Sequence, residues 1–200
     1  MPNEPTNPTI PSGSFPVSFR EASLEYKHEL AAWLASDTWP NFTNSKPSYD
    51  VAIGWVERGV FHGDGRKTFW IVRDRHHKVG LIQLYDLNDS TAMFDLRINT
   101  QYRGMGIGRQ AVAFLTSYVF TTFRRVTRIE ANTRVDNVAM QKVLLASGYV
   151  KEAHYRAGWH YEDDPSRWID AVAYAILRYD WMHNLTSPVP WELGQAAVDK

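Results

Sequence analysis

One stretch of the sequence decides the fold: residues 92–108 read AMFDLRINTQYRGMGIG. Residues 92–98 form a strand-like run, and three alternate glycines follow, Gly104, Gly106 and Gly108. Apolar residues then recur at helical spacing. Glycines between a strand and a helix let the backbone approach a ligand closely, and the free N–H groups of the helix N-terminus favour an anion. The stretch therefore predicts a turn that binds a phosphate or pyrophosphate.

Composition and charge exclude several classes of protein. Lys+Arg and Asp+Glu both number 22 in the 200 residues, so the formal net charge is zero and neither nucleic acid nor an anionic membrane is expected as a partner. The chain has no cysteine, which excludes disulfides, thiolate metal sites and a cysteine acyl-enzyme. No apolar run approaches the roughly 20 residues of a membrane span, and the N-terminus does not have the pattern of a signal peptide. We expect a soluble, cytoplasmic protein.

The chain divides into a leader, one domain and a tail. Residues 1–15 are rich in Pro, Asn and Ser and are expected to be disordered. The domain is expected to span residues 16–182 and the tail residues 183–200. The domain's pattern predicts about seven strands and about four helices. Their mixed order indicates an α/β (α+β) fold with a mixed, mostly antiparallel central sheet, and excludes a doubly wound Rossmann fold.

The hydrophobic pattern also gives approximate bounds for these elements. The predicted strands are residues 17–21, 68–73, 79–85, 92–98, 128–132, 149–156 and 171–177. The predicted helices are residues 25–35, a segment that Pro47 and Ser48 open and that runs to about 61, a helix from the glycines to about 120, and residues 137–146.

Three kinds of phosphate-binding turn compete for the glycines. A P-loop has Lys-Ser or Lys-Thr after its last glycine, whereas Arg109-Gln110 follows here. A dinucleotide-binding fold has Gly-x-Gly-x-x-Gly in an early βαβ unit, whereas this turn has Gly-x-Gly-x-Gly after a group of strands. The remaining pattern, Arg103-x-x-Gly106-x-Gly108, resembles the Arg/Gln-x-x-Gly-x-Gly/Ala signature of the GNAT acetyltransferases.

The resemblance continues beyond the glycine turn. Asn137-x-x-Met140 stands where this superfamily has Asn-x-x-Ala/Ser, and Gly148-Tyr149 stands where it has Gly-Phe. Residues 167–170, Arg-Trp-Ile-Asp, are similar to the ending of the RimJ/RimL-like branch of ribosomal-protein N-terminal acetyltransferases. The resemblance therefore implies a GNAT fold and membership of that branch.

Acetyl-CoA is the acetyl donor that the resemblance implies, with no metal. In this superfamily the glycine turn binds the pyrophosphate, and the preceding strand binds the pantetheine arm through its backbone. Asn137 stands at the position of a pantetheine-contacting Asn, and Lys142 is a candidate for contacting the nucleotide's phosphate. The residues so implied in cofactor binding are Leu96, Arg97, Ile98, Arg103, Gly104, Met105, Gly106, Ile107, Gly108, Arg109, Asn137 and Lys142.

The implied chemistry is direct attack of a neutral amine on the thioester, without a covalent enzyme intermediate. Met140 and Leu144 occupy the positions where relatives have a Ser or Tyr acid. Tyr149 is therefore the candidate acid for the leaving thiolate, and water is the alternative. Asp95 is the candidate base, acting directly or through water, although pairing with Arg97 is an alternative role.

The sequence therefore predicts an N-acetyltransferase that acts on a primary amine. The acceptor is open among a protein N-terminus, including that of a ribosomal protein, a polyamine and an aminoglycoside-like amine. Loops at about residues 39–50 and 155–164 are expected to bind it, but they carry no recognisable motif. The alternative is a non-catalytic acyl-CoA-binding or sensor module, because both usual acids are absent. Homodimer formation is open as well.

Overall fold

The structure is a computed structural model that describes residues 16–161, 164 and 166–191, so the predicted leader lies outside the described residues. Within them, the strands are β1 (Ser18–Glu21), β2 (Lys67–Arg73), β3 (His77–Tyr85), β4 (Thr91–Ile98), β5 (Arg128–Arg134), β6 (Val150–His160) and β7 (Trp168–Leu177). The α-helices are α1 (Lys27–Ala35), α2 (Tyr49–Glu57), α3 (Ile107–Thr122), α4 (Val138–Ala146) and α5 (Arg178–His183). None of these helices is long and apolar enough to cross a membrane.

The strands form one mixed sheet in the order β1-β2-β3-β4-β5-β7-β6. Its only parallel pair within the described residues is β4 with β5, and they pair only over residues 91–93 and 128–130. Beyond that point β4 pairs with β3 alone, and β5 pairs with β7 alone. The predicted mixed, mostly antiparallel sheet is confirmed, and its parallel pair opens into a V-shaped gap towards the C-terminal ends of β4 and β5.

Each face of the sheet carries its own apolar core. The larger cluster contains Ile107 and Leu115 of α3 and Leu144 of α4. The smaller cluster contains Leu34 of α1 and Val56 of α2. Burial of these two clusters is the main stabilising contribution to the fold. The V-shaped gap therefore lies between two helical layers, with α3 and α4 on one side and α1 and α2 on the other.

The structure differs from the sequence pattern at several element ends. α2 ends at Glu57 rather than near residue 61, because the chain turns at Gly59, which has a φ of +77°. β6 extends to His160 because its pairing with β7 resumes after a bulge between Tyr155 and Trp159. The short helix α5 was not predicted. It depends on tertiary contacts, since the Arg178 guanidinium donates to backbone carbonyls at the end of α3 and before β5.

Candidate active site

The glycine turn joins β4 to α3 in a left-handed backbone conformation. Gly104 and Gly106 both have a φ of +76°, which L side chains rarely adopt. Gly106 is the N-cap of α3, a helix of 16 residues, and its C=O accepts from the Gln110 N–H at 3.4 Å. The N–H groups of the first helical turn therefore have no intrahelical partner, and the positive end of the helix dipole lies at the turn.

Space around the glycines fits a phosphate that approaches from solvent. A Cβ added at Gly104 would meet no atom within 4 Å, so this side of the turn is open. A Cβ added at Gly108 would lie 3.4 Å from Val143 Cγ2 and 3.6 Å from Ile98 Cδ1, so the other side packs on α4 and β4. One side of the turn is thus packed and the other is open, with room for an anion.

The end of β4 presents backbone groups to the V-shaped gap. The Asn99 N–H donates to the Val79 C=O at 2.9 Å, so the odd-numbered residues of β4 are those that bond to β3. Leu96 and Ile98 therefore direct their N–H and C=O groups towards β5, which has moved away to pair with β7. The backbone of Arg97 is directed at β3, so Arg97 reaches the site only through its side chain.

The side chain of Arg103 fastens the glycine turn to the loop after α1. Its Nε donates to the Ile98 C=O at 2.9 Å, and its Nη2 donates to the Thr38 C=O at 2.6 Å. Asp37, beside Thr38, accepts from the Thr100 N–H and from Thr100 Oγ1, both at 2.6 Å. Burial by itself would raise the pKa of Asp37, but the bonds from Thr100, Thr38 and Asn99 lower it to about 2. The loop after α1 is therefore held at the end of β4.

Asn137 and Lys142 belong to the α4 wall of the gap. Asn137 caps α4, since its Oδ1 accepts from the Met140 N–H at 3.2 Å and its Nδ2 donates to Thr133 Oγ1 at 2.9 Å. Both ends of this amide have protein partners, so its structural role is to fix the start of α4. Lys142 is exposed and lies next to Val143, the residue that packs near Gly108. This position puts Lys142 on the helix that borders the glycine turn.

Asp95 and Arg97 lie side by side on the α1–α2 face of β4. Arg97 Nη1 and Asp95 Oδ2 are 3.9 Å apart, an ion pair that is too long for a hydrogen bond. The Asp95 side chain is 36% exposed and the Arg97 side chain 9%. Desolvation in this recess raises the pKa of Asp95, against the opposing charges of Arg97 and Arg66. The Asp95 carboxylate is therefore a stronger base than a solvated one, and solvent reaches it.

A cleft of about 340 Å³ lies next to Phe42, the residue that stacks on Arg97, although neither Asp95 nor Arg97 lines the cleft. The residues that line it are Pro40, Phe42, Thr43, Ser45, Arg134, Asp136, His160, Tyr161 and Arg167. They come from the loop after α1, from the end of β5 and from the β6–β7 hairpin, so both loops that were expected to bind the acceptor contribute to it. Phe42 joins the cleft to the ion pair, because the Arg97 guanidinium carbon lies 3.7 Å from the centroid of its ring.

Arg134 and Tyr161 are cleft residues that the sequence pattern did not single out. Arg134 donates to both carboxylate oxygens of Asp136, at 3.0 and 2.6 Å, and to the Tyr161 hydroxyl at 2.7 Å. Its Nη1 also donates to the Pro40 C=O at 3.1 Å. No local motif could reveal these contacts, because they join segments far apart in the chain. Arg134 holds the wall of the cleft together.

Tyr85 lies on the same face of the sheet as Asp95 and was also not predicted. It pairs with Met93, which in turn pairs with Glu130, so Tyr85 and Glu130 flank Met93 across three neighbouring strands. Burial, and the nearby charge of Asp95, raise the pKa of Tyr85. Glu130 is bound to Arg128 at 2.6 Å, so it is less available than Asp95 as a base. Within the described residues, no group of His, Asp and Glu could hold a metal ion.

The structure does not bring Tyr149 together with Asp95. Its side chain is buried in the core beside Phe94, and its hydroxyl lies 2.8 Å from Thr116 Oγ1 on α3. Burial raises the pKa of Tyr149, and the hydrogen bond with Thr116 opposes this only in part. A Gly-Tyr pair after a helix does not reveal to which side the ring points, and here the ring points inwards.

Comparison with known proteins gives one family and one recurrent fold. The model of the acetyltransferase (GNAT) domain matches residues 17–150. No curated protein matches the sequence. Among solved structures, a mutant form of the spermidine/spermine N-acetyltransferase SpeG from Vibrio cholerae is similar with a TM-score of 0.67 at 18% identity, over 84% of this chain and 99% of that chain. A spermidine N-acetyltransferase from Vibrio cholerae in complex with CoA and spermine is similar with a TM-score of 0.66 at 18% identity, over 83% of this chain and 98% of that chain.

These comparisons agree with the geometry of the site. Identity of 18% shows only that the fold is shared, whereas the family match covers well over half of the chain. The matched residues include the glycine turn and the strands that open into the V-shaped gap. The chain belongs to the GNAT acetyltransferase family, whose members are N-acetyltransferases that take the acetyl group from acetyl-CoA.

Proposed function

We propose that this protein transfers the acetyl group of acetyl-CoA directly to a primary amine that binds in the cleft and reaches Asp95. The observation that carries the proposal is the V-shaped gap, which has the glycine turn at its open end and the Asp95 carboxylate on one wall. The turn offers free N–H groups to the pyrophosphate. The backbone groups of Leu96 and the N–H of Ile98 face the path that the pantetheine arm would take towards Asp95, whereas the Ile98 C=O is bonded to Arg103.

Asp95 is the base in this proposal. Acetyl-CoA supplies an activated acyl group when bound, so the protein has to position the amine and remove its proton. An amine attacks only when it is neutral, and a carboxylate with a raised pKa accepts a proton more readily than a solvated one. Asp95 meets this requirement because it is largely enclosed and still 36% exposed. It acts directly or through one water.

No side chain is assigned as the acid for the leaving thiolate. Met140 and Leu144 occupy the positions where relatives have Ser or Tyr, and the Tyr149 hydroxyl is bonded to Thr116 inside the core. A free thiol ionises near pH 8.5 or so, which makes a thiolate a fair leaving group that solvent can protonate. Positioning in the gap then supplies most of the catalysis.

Two acceptor classes are supported by different observations. SpeG, which has the same fold, is named for spermidine and spermine, and this favours a polyamine. The residues 167–170 that resemble the RimJ/RimL-like branch favour a protein N-terminus. Both acceptors present a primary amine, and the proposed function rests on that shared group.

A thiol-release assay with acetyl-CoA and a panel of amines tests the proposal. The panel contains spermidine, an aminoglycoside and a short peptide with a free N-terminus, and calorimetry measures acetyl-CoA binding in parallel. We expect binding, and release of CoA with at least one amine. Binding without release for any amine would favour the non-catalytic acyl-CoA-binding module instead. Failure to bind acetyl-CoA would remove the basis of both.

A further inference from the structure

Arg97 is a buried arginine whose hydrogen-bonding capacity the protein leaves unused. Its side chain is 9% exposed, and its Nε is buried without a hydrogen-bond partner. The nearest carboxylate oxygen, Asp95 Oδ2, lies 3.9 Å from Nη1, beyond hydrogen-bonding distance. Within the residues that the structure describes, this guanidinium therefore makes one loose ion pair and donates no hydrogen bond. Burial lowers the pKa of Arg97, against the opposing effect of Asp95.

The Asp95 carboxylate likewise lacks a hydrogen-bond partner among the described residues. The positive charges that act on it are those of Arg97, 3.9 Å away, and Arg66. Enclosing two charged groups without satisfying their donors and acceptors is costly. A ligand that offers an N–H donor to Asp95 and an oxygen to Arg97 would satisfy both groups at once.

Phe42 orients the guanidinium without using its donors. The guanidinium carbon lies 3.7 Å from the centroid of the Phe42 ring, so the flat face of Arg97 is stacked. The N–H groups of a guanidinium lie in its plane, and stacking leaves them free to bind an oxygen. Phe42 also lines the cleft, so the Arg97 guanidinium lies within one side chain of an acceptor bound there.

We infer that Arg97 determines acceptor specificity by binding an oxygen of the amine substrate. The inference rests on the proposed function, in which Asp95 receives the amine. Because Asp95 and Arg97 are neighbours on one face of β4, the amine and the oxygen must lie close together in the acceptor. An amine and a carbonyl carbon attached to the same carbon atom meet this requirement. A vicinal amino alcohol has the same spacing, but its hydroxyl is a weaker acceptor for a guanidinium than a carboxylate or a carbonyl. The acceptor class that Arg97 favours is therefore an α-amino acid or the N-terminus of a peptide.

A polyamine does not fit this arrangement. It carries further ammonium groups in place of an oxygen, and it would bring a cation to a guanidinium that already has no hydrogen-bond acceptor. The carboxylate of a free amino acid and the carbonyl of a peptide both supply the oxygen that Arg97 requires. An assay with both kinds of acceptor distinguishes these two sources.

Matched acceptors test the inference on the wild-type protein. The thiol-release assay compares leucine, a peptide that begins with leucine, isopentylamine, which is leucine without its carboxyl group, and spermidine. We expect kcat/KM for leucine or the peptide to exceed that for isopentylamine and spermidine by about tenfold or more. Equal or better use of isopentylamine or spermidine would overturn the role of Arg97. Release with none of the amines would contradict the proposed function itself.

Two variants then assign the selectivity to Arg97. Arg97→Met removes the donors, and we expect kcat/KM for the oxygen-bearing acceptor to fall by about tenfold or more, towards the value for isopentylamine. Arg97→Lys keeps the charge without the planar fork, so its selectivity should lie in between. Acetyl-CoA affinity measured by calorimetry reports whether each variant is folded. An equal loss of kcat/KM for the oxygen-bearing acceptor and for isopentylamine, in a variant that still binds acetyl-CoA, would contradict the inference. If Arg97→Met does not fold, Arg97→Lys and the comparison of acceptors on the wild type test the inference instead.

Discussion

Arg103 spans the distance between the glycine turn and the loop after α1, where its Nη2 donates to the Thr38 carbonyl at 2.6 Å. The same guanidinium donates through Nε to the Ile98 carbonyl at 2.9 Å. One side chain therefore joins the cofactor turn, the end of β4 and the loop that forms a wall of the cleft. The Arg of the signature thus has a structural role here, and in the proposed function the anion is bound by the backbone of the turn.

Replacing Arg103 by Ala should weaken binding of the acceptor more than binding of acetyl-CoA. Two charge-assisted hydrogen bonds are lost, and since Arg103 is exposed we expect only about 1 kcal/mol of stability to go with them. KM for the acceptor should rise several-fold because the loop after α1 loses its bond to Arg103 and keeps those of Asp37 and Arg134. Steady-state kinetics and chemical unfolding measure both effects. Arg124→Ala, which removes another exposed arginine, is the control, and an equal effect there would argue against the specific role of Arg103.

The hydrogen bonds that Asp37 accepts predict how the stability of the fold changes at low pH. The pKa of Asp37 is lowered from 3.8 to about 2, so its carboxylate stabilises the fold at pH values above its unfolded pKa. That contribution is lost as the pH falls from about 4 to about 2. Asp37→Asn should therefore unfold more easily than the wild type at neutral pH, by about 1 kcal/mol from the lost hydrogen bonds. The difference should shrink as both proteins are acidified.

Unfolding in denaturant at a series of pH values measures this difference. Asp89→Asn is the matched control, because Asp89 is exposed and lies away from Thr100. A gap between Asp37→Asn and the wild type that stays constant down to the lowest pH would contradict the assignment.

The variant Gly106→Val tests whether the glycine turn binds the pyrophosphate. Gly106→Val places a β-branched side chain at a φ of +76° and beside the N–H groups that face the anion, so acetyl-CoA affinity should fall by about tenfold or more. Gly63→Val is the control for backbone strain, because Gly63 also has a positive φ, and a Cβ there meets no atom within 4 Å. Calorimetry should show weakened binding for Gly106→Val alone. Equal affinity in the two variants would count against this role of the turn.

The sequence predicted the glycine turn better than it predicted the cleft. The conformation of the glycine turn depends on local sequence, because glycines between a strand and a helix allow positive φ values that other residues rarely adopt. The mixed sheet followed from the order of elements in the same way. The backbone conformation of the turn was therefore readable from residues 92–108, and its role in binding the cofactor stays a prediction.

The cleft depends on contacts that no local pattern contains. Phe42, from the loop after α1, contacts Arg97 of β4, and Arg134 of β5 contacts Tyr161 and Pro40. Alternation along β4 puts Asp95 and Arg97 on one face, but it does not reveal that Arg97 is left without a hydrogen bond. These features depend on three-dimensional packing, which is why the loops at residues 39–50 and 155–164 carried no motif.

Tyr149→Phe separates the core role of this residue from an acid role. The hydroxyl is bonded to Thr116 in the core, so its removal should lower the free energy of unfolding by about 1 kcal/mol. The rate of acetyl transfer should stay within about twofold of the wild type, because the hydroxyl takes no part in the proposed chemistry. Thr116→Val removes the same hydrogen bond from the other side and should have a similar effect on stability. A large fall in kcat with unchanged acetyl-CoA affinity would restore Tyr149 as the acid.

Asp95→Asn tests the base directly. Loss of a general base should reduce kcat/KM by about a hundredfold or more, while acetyl-CoA affinity is retained because the glycine turn is untouched. The pH dependence gives a second readout. The wild type needs the Asp95 carboxylate, so its kcat/KM should fall as the pH drops through a pKa that desolvation has raised above the usual value for aspartate. In Asp95→Asn only the neutral amine can react, so the acidic limb should move up to the pKa of the amine itself, whereas Glu130→Gln, on the neighbouring strand, should keep the wild-type limb. An unshifted limb in Asp95→Asn would move the role of base to another group on this face.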